Sequence, residues 1–149
     1  MFSDVEITVA SARELLDRVP AFDVIMTAES KGIPLAYEMA RQSGKPYVVA
    51  RKSRKLYMQD VISVNVKSIT TEAEQTLMLD GGKAELLRGK KVLLVDDVIS
   101  TGESLRALEE LTEAAGGSVA AEAAVLAEGD AKDRSDIVYL EPLPLLFKD

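Results

Sequence analysis

Residues 92–104 read Val92-Leu93-Leu94-Val95-Asp96-Asp97-Val98-Ile99-Ser100-Thr101-Gly102-Glu103-Ser104. The apolar run 92–95 is short and bounded by polar residues, so it predicts a buried strand rather than a helix. Two acids follow it directly. A helix is expected over about 104–115, with Leu105, Leu108 and Leu111 on one face and Gly116-Gly117 closing it. The turn between strand and helix offers the hydroxyls of Ser100, Thr101 and Ser104, and Gly102 lets the backbone approach a ligand closely. Amides at a helix N-terminus, with its positive dipole end, make a phosphate cradle. Asp96 and Asp97 would repel a phosphate but suit the hydroxyls of a sugar. A phosphorylated sugar, phosphate in the turn and ribose over the two acids, satisfies both halves. Taken alone, Ser or Thr before Gly at a helix start is usually only a cap; two adjacent acids closing an apolar strand make the ligand reading the stronger one.

Outward from this segment, helices and strands alternate. Ser11-Ala12-Arg13-Glu14 reads as a capping box opening a short helix that Pro20 ends. A buried strand is expected at 23–27. A helix then carries Pro34 in its first turn and Gly44 as its C-cap, and a second buried strand follows at 47–50. From Asp60 to Ile69 the pattern changes: Ile62, Val64 and Val66 alternate with polar residues, the period of a half-exposed strand. Thr76 to Leu79 reads as its antiparallel partner, with Asp80-Gly81-Gly82 as a turn. Further strands are expected at 119–126 and 137–140. The whole predicts a single α/β domain over 1–149, mainly parallel, with a small antiparallel excursion. Ligands in such sheets sit at the carboxyl ends of the strands.

Composition narrows the chemistry. The 149 residues include no His, no Cys and no Trp, which excludes a Ser-His-Asp triad, a cysteine nucleophile, imidazole or thiolate zinc sites and disulfides. Carboxylates, Lys, Arg, hydroxyls, amides and a hard cation held by oxygen remain. The net charge of −7 argues against a nucleic-acid surface, and no apolar run approaches a membrane span. The N-terminus lacks a basic leader pattern, so a cytoplasmic location is expected. A P-loop string is absent, and a receiver domain would carry its acid pair near the N-terminus rather than at 96–97.

Apolar strand, Asp-Asp, three residues, Thr-Gly resembles the phosphoribosyl-pyrophosphate (PRPP) signature of the type I phosphoribosyltransferases. Three further segments resemble the same family in the same order. Thr27-Ala28-Glu29-Ser30-Lys31-Gly32 is similar to the loop that binds pyrophosphate, Arg51-Lys52-Ser53-Arg54-Lys55 to its basic run, and Thr76 to Leu86 to the mobile segment of the adenine enzymes. Alone, the basic run would usually be a solvated loop, but four cations in five residues on an acidic protein call for a reason. Pyrophosphate, as a highly charged leaving group, supplies it.

The resemblance implies a three-layer fold and transfer of the phosphoribosyl group of PRPP to a purine base, with release of pyrophosphate and Mg²⁺ as cofactor. By that resemblance Asp96 and Asp97 take the ribose hydroxyls and reach Mg²⁺ directly or through water. Ser100, Thr101, Gly102, Glu103 and Ser104 hold the 5′-phosphate. Ala28, Glu29, Ser30, Lys31, Gly32, Arg51, Lys52 and Lys55 hold pyrophosphate. Asp97 is the expected proton acceptor, since a carboxylate is the only plausible base in a chain without His. A homodimer is implied, because the basic run acts partly across a subunit interface in this family. Adenine is the expected base, from the likeness of Ala127-Glu128-Gly129-Asp130 and Leu143-Pro144-Leu145 to bacterial adenine-type members. Two departures stand out. Asp80-Gly81 replaces the Glu-Tyr of the mobile loop, and the first sheet strand begins near residue 23, which implies an incomplete hood over the base. The alternative is a non-catalytic PRPP- or nucleotide-sensing domain on the same fold.

Overall fold

The chain runs through α1 (Val5–Arg18), β1 (Val24–Ala28), α2 (Ile33–Ser43), β2 (Tyr47–Ala50), β3 (Ile62–Lys67), β4 (Glu74–Leu79), α3 (Gly81–Leu87), β5 (Lys91–Ile99), α4 (Glu103–Ala114), β6 (Ser118–Ala127) and β7 (Ile137–Pro142). The computed structural model describes residues 5–29, 32–52, 56, 58–67, 74–99, 103–127 and 137–142. Within them, five strands form a wholly parallel sheet in the order β2-β1-β5-β6-β7. β3 and β4 pair antiparallel in a separate ribbon, Ile62 opposite Leu79 and Lys67 opposite Glu74.

Both faces of the parallel sheet are covered, which fits the unbroken apolar runs 24–26 of β1 and 92–95 of β5. Val24, Met26 and Ala28 of β1 with Val92 and Leu94 of β5 face a core completed by Ala107, Leu108 and Leu111 of α4, Leu77 and Leu79 of β4, and Leu87 of α3. Ile25, Leu93 and Val95 face the other way, onto Ala12 and Leu15 of α1 and Leu35, Ala36 and Met39 of α2. The result is the expected three-layer α/β arrangement. A fully buried Leu side chain contributes about 1.5–3 kcal/mol relative to exposure, so each layer is anchored by a few such residues.

Three local expectations are corrected. The first helix does not open at Ser11. Thr8, Ser11, Ala12 and Leu15 are all buried at i, i+3, i+4, i+7 spacing, so the stripe that packs on α2 extends upstream of Ser11 and carries the helix with it. Asp80-Gly81-Gly82 is not a strand-to-strand turn. The Asp80 carbonyl accepts from the amides of Lys83 and Ala84, so Asp80 is the N-cap of α3, and buried Ala84 and Leu87 hold that helix down. The acids at 96–97 do not follow the strand but lie within it. β6 runs alongside as far as Ala127, pairing Asp96 with Ala124 and Ile99 with Ala127. Pro34 and Gly44 behave as expected, Gly44 closing α2 at φ 74° with its amide on the Ala40 carbonyl.

Candidate active site

The strand order reverses between β1 and β5: the chain leaves β1 for β2 on one side and returns through β5 on the other. The carboxyl ends of two such strands diverge into a crevice where open α/β sheets take their ligands. At this point Gly32, Thr27 and Asp96 meet. A Cβ built on Gly32 would stand 2.6 Å from Thr27 Oγ1 and 3.4 Å from both Cα and Oδ1 of Asp96. Only glycine lets the start of α2 lie this close to the strand ends. Gly32 is the N-cap of α2, with no side-chain hydrogen bond at that cap, and Pro34 occupies its first turn. The end of α2 that carries the positive dipole therefore faces the crevice.

Thr27 is fully buried, and its hydroxyl has no hydrogen-bond partner among the described residues. A buried orphan hydroxyl costs about 1–3 kcal/mol, and this one sits beneath the loop where an anion is expected. The sequence pattern puts Thr27 at the end of a buried strand and the start of that loop and assigns it no ligand. The available signal was a lone hydroxyl closing the apolar run Val24-Ile25-Met26.

The next two residues lead away from the crevice toward β2. The Glu29 amide donates to the Ala50 carbonyl (2.7 Å). Glu29 Oε1 accepts from the Lys52 amide (2.9 Å), and Oε2 lies 3.8 Å from the Arg51 guanidinium. Arg51 in turn exchanges both backbone hydrogen bonds with Met78, linking the end of β2 to β4. The structure thus brings together Ala28, Glu29, Gly32, Arg51, Lys52 and Asp96 around the ends of β1, β2 and β5. Asp97 is placed by its backbone in β5, and Glu103 and Ser104 by theirs in the first turn of α4. Ser30, Lys31, Lys55, Ser100, Thr101 and Gly102 lie outside the described residues.

One buried carboxylate braces the helix that carries Gly32. Hydrogen bonds from Arg41 and then Gln42, with the Arg41 charge, hold the Glu38 carboxyl below its ordinary range against the opposing effect of burial. Gln42 also donates to Val9 of α1, so the network joins both helices on that face of the sheet.

Among the described residues no three acidic side chains converge on one point. A closed protein cage for a divalent ion is therefore not formed by them. The half-buried Asp96 carboxylate at the crevice, next in sequence to Asp97, instead suits Mg²⁺ that keeps most of its ligands from water and substrate oxygens. Among the described residues, no helix is long and apolar enough to cross a membrane.

Fold and site together define a doubly covered parallel α/β domain whose strand-order switch lies between a helix N-terminus and a carboxylate, an arrangement suited to an anionic ligand. Residues 10–141 match the phosphoribosyl transferase domain, and the chain belongs to that family. It is 39% identical over 99 residues to the adenine phosphoribosyltransferase of Agathobacter rectalis, covering 66% of this chain and 53% of that protein. It is 33% identical over 111 residues to the purine biosynthesis transcriptional repressor PurR of Bacillus subtilis, covering 74% of this chain and 38% of the repressor. Proteins named hypoxanthine/guanine and xanthine phosphoribosyltransferase match at 37%. The chain spans 38% to 65% of the length of these curated relatives. The fold is that of Trypanosoma brucei adenine phosphoribosyltransferase in complex with AMP, pyrophosphate and ribose-5-phosphate, with a TM-score of 0.80 and 21% identity over 98% of this chain and 68% of that one.

Proposed function

We propose that the chain is a purine phosphoribosyltransferase, moving the phosphoribosyl group of PRPP to a purine base, adenine first among them, and releasing pyrophosphate. The observation that carries this reading is the junction of Gly32, Thr27 and Asp96 at the strand-order switch, flanked by Arg51 and Lys52. Bare backbone and a buried hydroxyl at a helix N-terminus suit the diphosphate, and the carboxylate end of β5 suits the ribose.

In this reading a purine nitrogen forms a bond to C1 of the ribose as the C1–oxygen bond to pyrophosphate breaks. Positive charge develops on the sugar ring, where the carboxylates of Asp96 and Asp97 stabilise it. Negative charge develops on the leaving group, where the start of α2, Arg51, Lys52 and Lys55 stabilise it. Bound through ligand oxygens and the two acids, Mg²⁺ would add charge neutralisation at the diphosphate. Asp97 accepts the proton that the base loses. Ser100 to Ser104 hold the 5′-phosphate. The chain works in the cytoplasm as a homodimer; for the dimer, the support is two large apolar side chains left exposed, Tyr37 of α2 and Leu56, next in sequence to the basic run.

The test is release of pyrophosphate from PRPP with Mg²⁺, across adenine, guanine, hypoxanthine and xanthine. Turnover with one base carries the proposal, and no turnover with any base overturns it. The relationship to a purine repressor favours a second reading, a PRPP-sensing domain. Its signature is PRPP binding without base-dependent turnover.

A further inference from the structure

We propose that Glu29 is a positioning residue that fixes the Arg51–Lys52 corner beside the N-terminus of α2, and that it is not itself a ligand of pyrophosphate. This rests on the function proposed above and assigns a role within the same site. A carboxylate in a site for a polyanion is electrostatically unfavourable, so its presence there needs another cause. The contacts supply one. Glu29 reaches the second loop three ways: its amide to the Ala50 carbonyl, Oε1 to the Lys52 amide, and Oε2 toward the Arg51 guanidinium.

Arg51 gives both of its backbone groups to Met78 on β4, so its main chain is oriented away from β1. One residue later the Lys52 amide turns back to Glu29. This hydrogen bond, at 2.9 Å, is what sets where the chain turns. Arg51 is also partly neutralised and aimed by the same carboxylate until an anion competes for it. The loop after β1 and the corner after β2 thus meet at the Glu29 side chain, and the Arg51 backbone ties that corner to β4. Its position three residues before Gly32 makes the spacing between the two groups of anion donors a property of Glu29.

The experiment compares wild type with Glu29→Ala and Glu29→Gln in the full chain. Binding of magnesium pyrophosphate and of PRPP is measured by calorimetry, and exchange of the Lys52 amide by NMR. Glu29→Ala is expected to weaken pyrophosphate about tenfold and to speed Lys52 exchange by about the same factor. Glu29→Gln keeps an oxygen acceptor for the Lys52 amide, so it should recover most of both losses. That rescue is what a carboxylate needed for its charge would not give. Tighter binding in both variants would overturn the proposal, leaving Glu29 as a repelling charge only. Equal weakening in both would also overturn it, making the charge itself a ligand. Unaltered affinity and exchange in Glu29→Ala would remove the role of Glu29 alone. A wild-type chain that binds neither PRPP nor pyrophosphate would instead remove the functional reading, and this role with it.

Discussion

Gly32→Ala tests the site at its narrowest point. The added methyl would stand 2.6 Å from Thr27 Oγ1, and the two atoms must separate by 0.4 Å to reach even 3.0 Å, a distance real Cβ contacts seldom undercut. The hydroxyl cannot swing aside cheaply, because Thr27 is β-branched, fully buried and held in β1. Asp96 blocks retreat on the other side at 3.4 Å. The backbone of Gly32 is already right-handed at φ −75°, so no dihedral strain arises and the whole effect is overpacking. Overpacking of this kind costs about 1–3 kcal/mol. For a chain of this size that is about 2–4 °C in Tm for each kcal/mol. The start of α2 should move outward by a few tenths of an ångström and weaken pyrophosphate binding. Urea unfolding and calorimetric titration measure the two effects. The cause is isolated by adding Thr27→Ala, which removes the opposing oxygen: the double variant should recover stability relative to Gly32→Ala, a coupling of about 1 kcal/mol or more. If Gly32→Ala matches wild type in both stability and affinity, the three-residue junction does not exist as described.

Three further outcomes are expected. Asp97→Asn should leave PRPP binding nearly intact and slow transfer by about 10²-fold or more, read by single-turnover kinetics; unchanged turnover would place the base elsewhere. Mixing an Arg51→Ala/Lys52→Ala chain with an Asp97→Asn chain should restore some activity only if the site is shared between subunits, as the family resemblance implies; a mixture with no gain, with a monomer by light scattering, would place each site within one chain. Glu38→Gln should lower Tm by about 2–4 °C at pH 7. Because the folded carboxyl lies below its ordinary value of 4.5, its contribution is present above that value and lost as pH falls through the folded one, so the deficit in thermal melts should shrink as the medium is made more acid than pH 4.5. A deficit that does not shrink at any acid pH where the chain stays folded would assign it to packing.

Most of the fold was legible because its strands are covered on both faces. Val24-Ile25-Met26 and Val92-Leu93-Leu94-Val95 are apolar at every position, a pattern that names a buried parallel strand without alignment or motif. Gly44 was legible for a different reason, a left-handed helix cap that glycine fills without strain. Helix starts were less legible. Ser11 and Asp80 are both good cap residues, yet only Asp80 is one. What decides between them is whether the buried stripe continues upstream, and Thr8, a polar residue that is nonetheless buried, hid that continuation.

The site shows the same division. Residue types told the chemistry: acids for a sugar, cations and amides for an anion. They could not tell which side chain faces the ligand and which faces the protein, because that depends on contacts between distant segments. Glu29 read as part of a loop that binds pyrophosphate, but its carboxylate turns to a loop 23 residues away. Asp96 read as the residue directly after the strand, but β6 pairs it into the sheet. Thr27 carried no sequence signal beyond its polarity, yet it is the buried atom that sets how closely α2 approaches β5. These three placements share a consequence. The groups that meet at the crevice are mounted on strand ends and a helix cap, which hold geometry better than loops do. Selectivity for the diphosphate should therefore reside in fixed backbone spacing, and conservative substitutions that alter volume at 27 or 32 should disturb binding more than exchanges of charge at the exposed Lys52.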